Sequence, residues 1–493
     1  MRNAVRFLRK GEKVELADVG PTDTLLDYLR LTERACGTKE GCAEGDCGAC
    51  TVVLGTARDG RLHYRPVNSC ILLMGQVDGA EVVAVDDLSA DDANRLHPVQ
   101  EAMVRHHASQ CGFCTPGFVM SLFGLYHSGR PATRDVARDW LAGNLCRCTG
   151  YRPILDAALE ACAGRADDAH SARASDTLAA LAGLADGDDV FIGDDRRFLA
   201  VPASVESLAD LYRRHPDAVL VAGATDVGLW ITKQLRDLPK IICLHRAGLD
   251  AIETTAEGIV IGAAATYERA EQAIAGIDPD LGLLLRRLGS RQVRAAGTVG
   301  GNIANGSPIG DMPPALIALE ATVELRHGDT LRTLPLEDFF IAYGKQDRAP
   351  GEFVARIRIP RLKPAEVFRC YKIARRFDQD ISALMGAFRF TVAAGRIDAA
   401  RIAFGGMAGT PKRAVETERA LQGARLADRD DWQEALAALA RDYQPIDDHR
   451  ASAAYRAAAA RAVLEKALRE TAGGTSVETR VVGFREAAVG RVA

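Results

Sequence analysis

The chain has 493 residues, enough for three or four domains with separate cores, and its 47% apolar and 26% charged content is ordinary for globular proteins. Lys plus Arg at 62 against Asp plus Glu at 66 leaves a net charge of -4, with no basic face to suggest nucleic acid. Arg2, Arg6, Arg9 and Lys10 interrupt the N-terminus and no apolar run approaches ~18 residues, so the expectation is a cytoplasmic chain without a secretory signal or membrane span.

Residues 4 to 9 and 13 to 19 alternate apolar and polar positions around Lys10, Gly11 and Glu12, which reads as a hairpin. The segment from Thr22 to Thr32, behind Pro21 and with leucines at 25, 26, 29 and 31, reads as a helix. Next come Cys42, Cys47 and Cys50 in a glycine-rich loop at CxxxxCxxC spacing, followed by Cys70. That is the spacing of plant-type 2Fe-2S ligation, in which a glycine loop turns its amides toward an anionic core and thiolates supply soft ligands. A zinc site or disulfides are the alternatives, but zinc prefers two short CxxC clips and disulfides need an oxidising compartment. Strand-like runs at Thr51 to Leu54 and Glu81 to Val85 complete a small β-grasp ferredoxin domain over 1–80.

From His97 the apolar period is helical: four stretches, marked by Val99 and Met103, by Phe118 to Leu125, by Val136 to Leu141 behind Thr133, and by Ile154 to Leu159. Cys111 and Cys114 lie between the first two, Cys146 and Cys148 between the last two. The expectation is a four-helix domain over 81–163 with a metal at one end; CxxC with a distant CxC also fits zinc, and the neighbouring ferredoxin loop favours a second 2Fe-2S cluster. The other cysteines, Cys36, Cys162, Cys243 and Cys370, read as buried free thiols. His106 and His107 are adjacent helical residues pointing to different faces, an ordinary structural arrangement.

Residues 164–188, rich in Ala, Asp, Ser and Gly, read as an inter-domain linker. Beyond it strands and helices alternate: Phe198 to Val201 strand-like, Val205 to His215 helical, and Ala218 to Ala222 a strand entering Gly223, Ala224, Thr225 and Asp226. A second glycine stretch runs from Gly297 to Asn302, with Ser307 to Asp311 beyond. Neither is GxGxxG, so the expectation over 189–363 is an α+β domain that is not Rossmann-like. Taken alone, the two loops fit either a dinucleotide pyrophosphate cradle or plain turns. Strands at Phe368 to Ile373, Met385 to Val392 and Ile397 to Phe404, then helices ending with Ser452 to Arg469, make a C-terminal α+β domain over 364–472; a tail over 473–493 carries no readable signal.

With EGCAEGDCGAC at 40–50, QCGFCTPG at 110–117, GNLCRCTGYRPI at 143–154 and GTVGGNIANGSPIGDMPP at 297–314, the chain resembles the iron-sulfur/FAD small subunits of bacterial xanthine dehydrogenases, within the molybdenum hydroxylase family. The resemblance implies two 2Fe-2S clusters, on Cys42, Cys47, Cys50, Cys70 and on Cys111, Cys114, Cys146, Cys148. It implies FAD held by Leu220, Val221, Ala222, Gly223, Ala224, Thr225, Asp226 and Val227, with Thr298, Gly301, Asn302, Ser307 and Asp311 on its other side and Val354 and Lys372 completing the surroundings. Leu288 stands where some members carry an aromatic residue against the flavin. Arg375 to Asp380 resembles a mobile loop near the family's NAD site, and a solvated charged loop fits the same residues equally well. The chain stops where the family's molybdopterin domain would begin, so a large partner subunit is expected to carry molybdopterin, two copies of each subunit forming a heterotetramer. The implied activity is NAD-dependent purine oxidation, with electrons passing through the two clusters to FAD and NAD+; the alternatives are the same subunit for an aldehyde or N-heterocycle, or a stand-alone electron carrier, and no catalytic acid or base is required of this chain.

Overall fold

The computed structural model describes residues 1–88 and 96–473. Two compact units emerge, one of Met1–Gly248 with Ser290–Gly297, the other of Leu249–Gly289 with the chain from Thr298 onward. The chain therefore crosses between units inside the stretch read as 189–363. The tail expected at 473–493 lies, but for its first residue, outside the described residues.

In the first unit, Val5–Arg9 and Glu12–Leu16 form the expected hairpin, closed by Lys10 and Gly11 at φ 55° and 79°. They sit at one side of a five-stranded sheet with Glu81–Val83, Thr51–Arg58 and Arg61–Asn68. The last of these strands has no counterpart in the sequence reading. It is an edge strand, the position where Pro66 is tolerated, and Asp59–Gly60 at φ 50° and 70° turns into it. Behind the sheet lie helices Pro98–Arg105, Thr115–His127, Arg134–Leu141 and Arg152–Ala161, as the periodicity predicts. Thr115–His127 is the central one: Gly117 through Tyr126 are all buried. A second sheet orders Val190–Gly193, Phe198–Val201, Lys240–Cys243 and Val219–Val221, the last three parallel.

The stretch 164–188 differs from its linker reading, because Ala174–Leu184 is a helix. Its alanines favour helix, and Leu181 and Leu184 bury against Leu8. Cys162, Cys243 and Cys370 are buried as expected; Cys36 is exposed, lying in a turn beside Arg34 at φ 61°.

The second unit contains an antiparallel sheet ordered Ile252–Thr254, Gly258–Gly262, Phe353–Pro360, Thr322–His327, Thr330–Pro335, with helices Tyr267–Ala275, Pro279–Arg286, Val299–Asn305 and Met312–Ala318. A further sheet of Glu366–Ile373, Leu384–Ala393, Arg396–Gly405 and Lys412–Arg413 carries Val415–Leu421, Gln433–Asp442 and Ala453–Thr471, the α+β order expected for the C-terminal part. Among the described residues no helix is long and apolar enough to cross a membrane.

Candidate metal centres and cofactor loops

The loop from Cys42 to Cys50 reverses at Ala43, Gly45 and Gly48, with φ of 53°, 78° and 70°. These reversals turn amides onto the Cys42 sulfur: the Cys47 N–H donates at 3.3 Å, and those of Glu44 and Asp46 also reach it. Gly45 is required there by its left-handed backbone, and a Cβ would also press on the tip of Ile71. Asn68 Nδ2 donates to Gly45 O at 2.8 Å and Ser69 Oγ to Cys50 O at 2.7 Å, tying the Cys70 turn to the loop.

The sulfurs gather in pairs. Cys42 interacts most with Cys47 and Cys50 with Cys70, and in each pair the neighbouring sulfur holds the first thiol down and pushes the second up. In the second quartet Cys114 pairs with Cys146 and Cys148 with Cys111. A tetrahedral zinc with Zn–S of about 2.3 Å would draw four sulfurs to within ~3.8 Å of one another. Among the described residues, the group of three donors lying within 4.8 Å of one another is His97, His127 and Asp168, and no cysteine triplet joins it. Two pairs per quartet suit a binuclear centre in which each metal takes two thiolates.

The second quartet is built at the end of the helical bundle. Cys114 precedes Thr115–His127, while Cys146 and Cys148 occupy the turn before Arg152–Ala161. Cys146 N–H donates to Tyr151 Oη at 3.0 Å, and Thr149 Oγ1 lies 3.2 Å from Cys146 Sγ. Cys111 and Cys148 are exposed, as are Phe113 and Leu145 beside them.

The two cysteine loops touch directly: Leu145 N–H donates to Cys47 O at 3.0 Å. Beneath that contact is a buried polar node that the sequence reading missed. Ser121 Oγ donates to Asn144 Oδ1 at 2.6 Å, Asn144 Nδ2 to Gly48 O at 3.1 Å, and Gln292 Nε2 reaches Asn144 Oδ1 and Ser121 Oγ, both at 3.1 Å. Gly48 faces Gly143 O, and Gly117 faces Gly48 O, so tightly that no Cβ fits at either glycine. Gly48→Ala adds overpacking to a left-handed backbone at φ 70° and is expected to destabilise the first unit by roughly 2–4 kcal/mol. Urea unfolding followed through this unit checks it.

Of the residues expected around a flavin, Leu220 to Val227 lie in the first unit. Gly223 packs on the backbone of Ala296 and Gly297 without room for a side chain, Ala224 is left-handed at φ 58°, and Gln76 Nε2 donates to Ala222 O at 2.8 Å. The helix that follows, Val227–Thr232, rests on the first cysteine loop: a Cβ at Gly228 would lie 2.6 Å from Ile71 Cβ, and Thr232 Oγ1 donates to Ala43 O at 2.6 Å.

The remaining expected residues lie in the second unit. Thr298 Oγ1 accepts from Gly301 N–H at 3.0 Å, and Tyr267 Oη donates to Asn302 Oδ1 at 2.9 Å. Asp311, buried, accepts from Lys372 Nζ and from Ser382 Oγ, each at 2.5 Å; Ser382 was not anticipated. Ser307 Oγ only accepts from nearby Ile309 N–H, Val354 is buried in Phe353–Pro360, and Leu288 packs against the apolar core. A cavity of about 420 Å³ is lined by Arg287, Lys372, Arg375, Arg376 and Phe377. Arg287 stacks 4.6 Å over Phe377 and donates to Lys372 O at 3.0 Å.

His97, His127 and Asp168 form the buried donor triplet named above, with His97 Nε2 at 2.7 Å and His127 Nε2 at 2.9 Å from Asp168 Oδ2. His97 Nδ1 accepts from Val99 N–H, so its Nε2 carries the proton and donates to Asp168 instead of offering a lone pair to a metal. This is a structural clasp. Beside it, burial pulls His170 down to about 4, outweighing Asp168, with His127, Arg173 and His97 pushing the same way. A histidine depressed in the folded state contributes stability fully present above its unfolded value near 6.5 and lost as pH falls toward about 4, worth about 3 kcal/mol. Urea unfolding at pH 7 and pH 4.5 should show that loss, and His170→Phe should shrink it.

Four family models match in chain order: a 2Fe-2S iron-sulfur cluster binding domain over residues 8–74, a [2Fe-2S] binding domain over 84–159, an FAD binding domain in molybdopterin dehydrogenase over 195–362, and a CO dehydrogenase flavoprotein C-terminal domain over 369–471. The xanthine dehydrogenase/oxidase of Mus musculus is 32% identical over 464 residues, covering 83% of this chain and 34% of that protein. The xanthine dehydrogenase of Drosophila pseudoobscura pseudoobscura is 33% identical over 473 residues, covering 84% and 35%. The chain thus spans about a third of the length of these curated relatives. Among solved structures, a reconstituted CO dehydrogenase from Oligotropha carboxidovorans superposes with TM-score 0.52 at 26% identity, over 56% of this chain and 97% of that one. Quinoline 2-oxidoreductase from Pseudomonas putida 86 gives TM-score 0.51 at 26% identity, over 56% and 96%. Paired cysteine quartets, a multidomain α+β fold and the ordered run of family matches agree, and the chain belongs to the molybdenum hydroxylase family as its iron-sulfur and FAD-binding portion.

Proposed function

We propose that this chain is the electron-transfer part of a xanthine dehydrogenase, linking hypoxanthine or xanthine oxidation at a molybdopterin-bearing partner subunit to reduction of NAD+. The observation that carries the reading is the pairing of sulfurs within both cysteine quartets, together with the direct Leu145 N–H to Cys47 O contact between their loops. Cys42, Cys47, Cys50 and Cys70 would hold one 2Fe-2S cluster, and Cys111, Cys114, Cys146 and Cys148 the other. Bound there, the clusters supply one-electron chemistry and FAD exchanges electrons singly or as the pair that nicotinamide takes.

The chain's own residues set the conditions. Amides of Glu44, Asp46 and Cys47 surround the Cys42 sulfur, and the buried node of Asn144, Ser121 and Gln292 holds the loops in register. The exposed rim around Cys111 and Cys148 is the side we assign to the partner, and the Val227–Thr232 helix on the other loop leads to the flavin side. Leu220 to Val227, Thr298, Gly301, Asn302, Ser307, Asp311, Val354 and Lys372 are the proposed FAD contacts, and the Arg375 to Asp380 loop the proposed NAD-side element. The proposed domains are 1–80, 81–163, 189–363 and 364–472.

Identity to xanthine dehydrogenases over more than four-fifths of the chain supports the purine reading. The structural likeness to CO dehydrogenase and quinoline 2-oxidoreductase supports a second, in which the partner oxidises another small molecule. Co-purification with the partner, metal analysis and electron paramagnetic resonance test both. Two distinct reduced 2Fe-2S signals with xanthine-driven NAD+ reduction are expected; zinc or a single cluster would sink the electron-transfer reading, and turnover of only another substrate the purine one.

A further inference from the structure

We infer that Thr149 is a positioning residue that tunes the redox potential of the centre held by Cys111, Cys114, Cys146 and Cys148, through an O–H to sulfur hydrogen bond onto Cys146. The inference rests on the cluster assignment proposed above. Thr149 Oγ1 lies 3.2 Å from Cys146 Sγ. A thiolate ligand has no proton to give, so the hydroxyl is the donor. Tyr151 N–H donates to the same Oγ1 at 3.2 Å, occupying a lone pair and leaving the O–H for the sulfur.

The turn is built around this contact. Gly150 and Tyr151 are both left-handed, at φ 68° and 66°, a conformation that strains a tyrosine. Tyr151 Oη stabilises it by accepting from Cys146 N–H at 3.0 Å. In the other quartet the donors to sulfur are backbone amides, those of Glu44, Asp46 and Cys47 onto Cys42, which a change at Thr149 leaves in place. A hydrogen bond to a ligand sulfur favours the more negative, reduced state and raises the potential. The Thr149 hydroxyl therefore raises the potential of the Cys146 centre above the value that centre would have without it.

The test is a potentiometric titration of the full chain with its bound groups, followed by electron paramagnetic resonance. In Thr149→Val the oxidised-to-reduced ratio of one centre at fixed potential should rise about tenfold, a fall of ~59 mV for a one-electron couple. The other centre should not move, and Thr149→Ser should restore the native value. Tyr151→Phe disturbs the same turn but leaves the hydroxyl on the sulfur, and should leave the potential in place. If valine prevents iron uptake, Thr149→Ala gives the same readout. An unmoved potential in the iron-loaded variant, or an equal shift in Tyr151→Phe, overturns the inference. A wild-type chain lacking the second signal overturns the cluster assignment instead.

Discussion

Cys146→Ser is expected to reduce purine-driven NAD+ reduction by the complete complex to background while NADH oxidation by an artificial dye continues. Cys146 sits beside Cys114 in the pair, and serine is a poor substitute for a soft thiolate. The dye route needs only the flavin side, whose proposed contacts lie elsewhere in the sequence, from Leu220 to Lys372. Steady-state assays of both routes, with iron and FAD content measured on the same sample, check the result. Equal loss of both activities in a variant that keeps its FAD would show that the two cysteine sets do not lie in series before the flavin.

Asp311→Ala is expected to lower the flavin-to-iron ratio and to destabilise the second unit together. Asp311 and Lys372 are both buried, and the carboxylate also takes the Ser382 hydroxyl. Removing it leaves a buried ammonium without its partner, a loss of roughly 3–5 kcal/mol. Asp311→Asn keeps the shape and an acceptor for Ser382 but not the charge, so it should retain more stability than alanine. Thermal unfolding reads the ion pair, and FAD released on denaturation reads the cofactor. An unchanged flavin-to-iron ratio would refute the FAD role of Asp311, and an unchanged unfolding temperature would refute the importance of the pair.

Much of the framework was legible from local pattern. Helices at Pro98–Arg105, Thr115–His127, Arg134–Leu141 and Arg152–Ala161 follow from apolar spacing, and the cysteines fall between them as read. Two misses were also local. Asp59–Gly60 is a hairpin signal leading into the edge strand Arg61–Asn68, whose Pro66 and arginines blur the apolar alternation, and the alanines of Ala174–Leu184 favour helix where composition alone suggests a linker.

What the sequence by itself determined is the chemistry: cysteine spacing within a short loop dictates which sulfurs can share a centre, because a few left-handed residues suffice to bend the backbone around it. What only the tertiary structure decided is the surroundings of that chemistry. Gln292 meets Asn144 across 148 residues, Ser382 meets Asp311 across 71, and Asp168 clasps His97 across 71. No periodicity or spacing encodes such pairs, since they exist only when separate elements pack and their buried polar groups must find partners. The pairing in the second quartet belongs to the same class: Cys114 finds Cys146 only because the helices that flank them pack together.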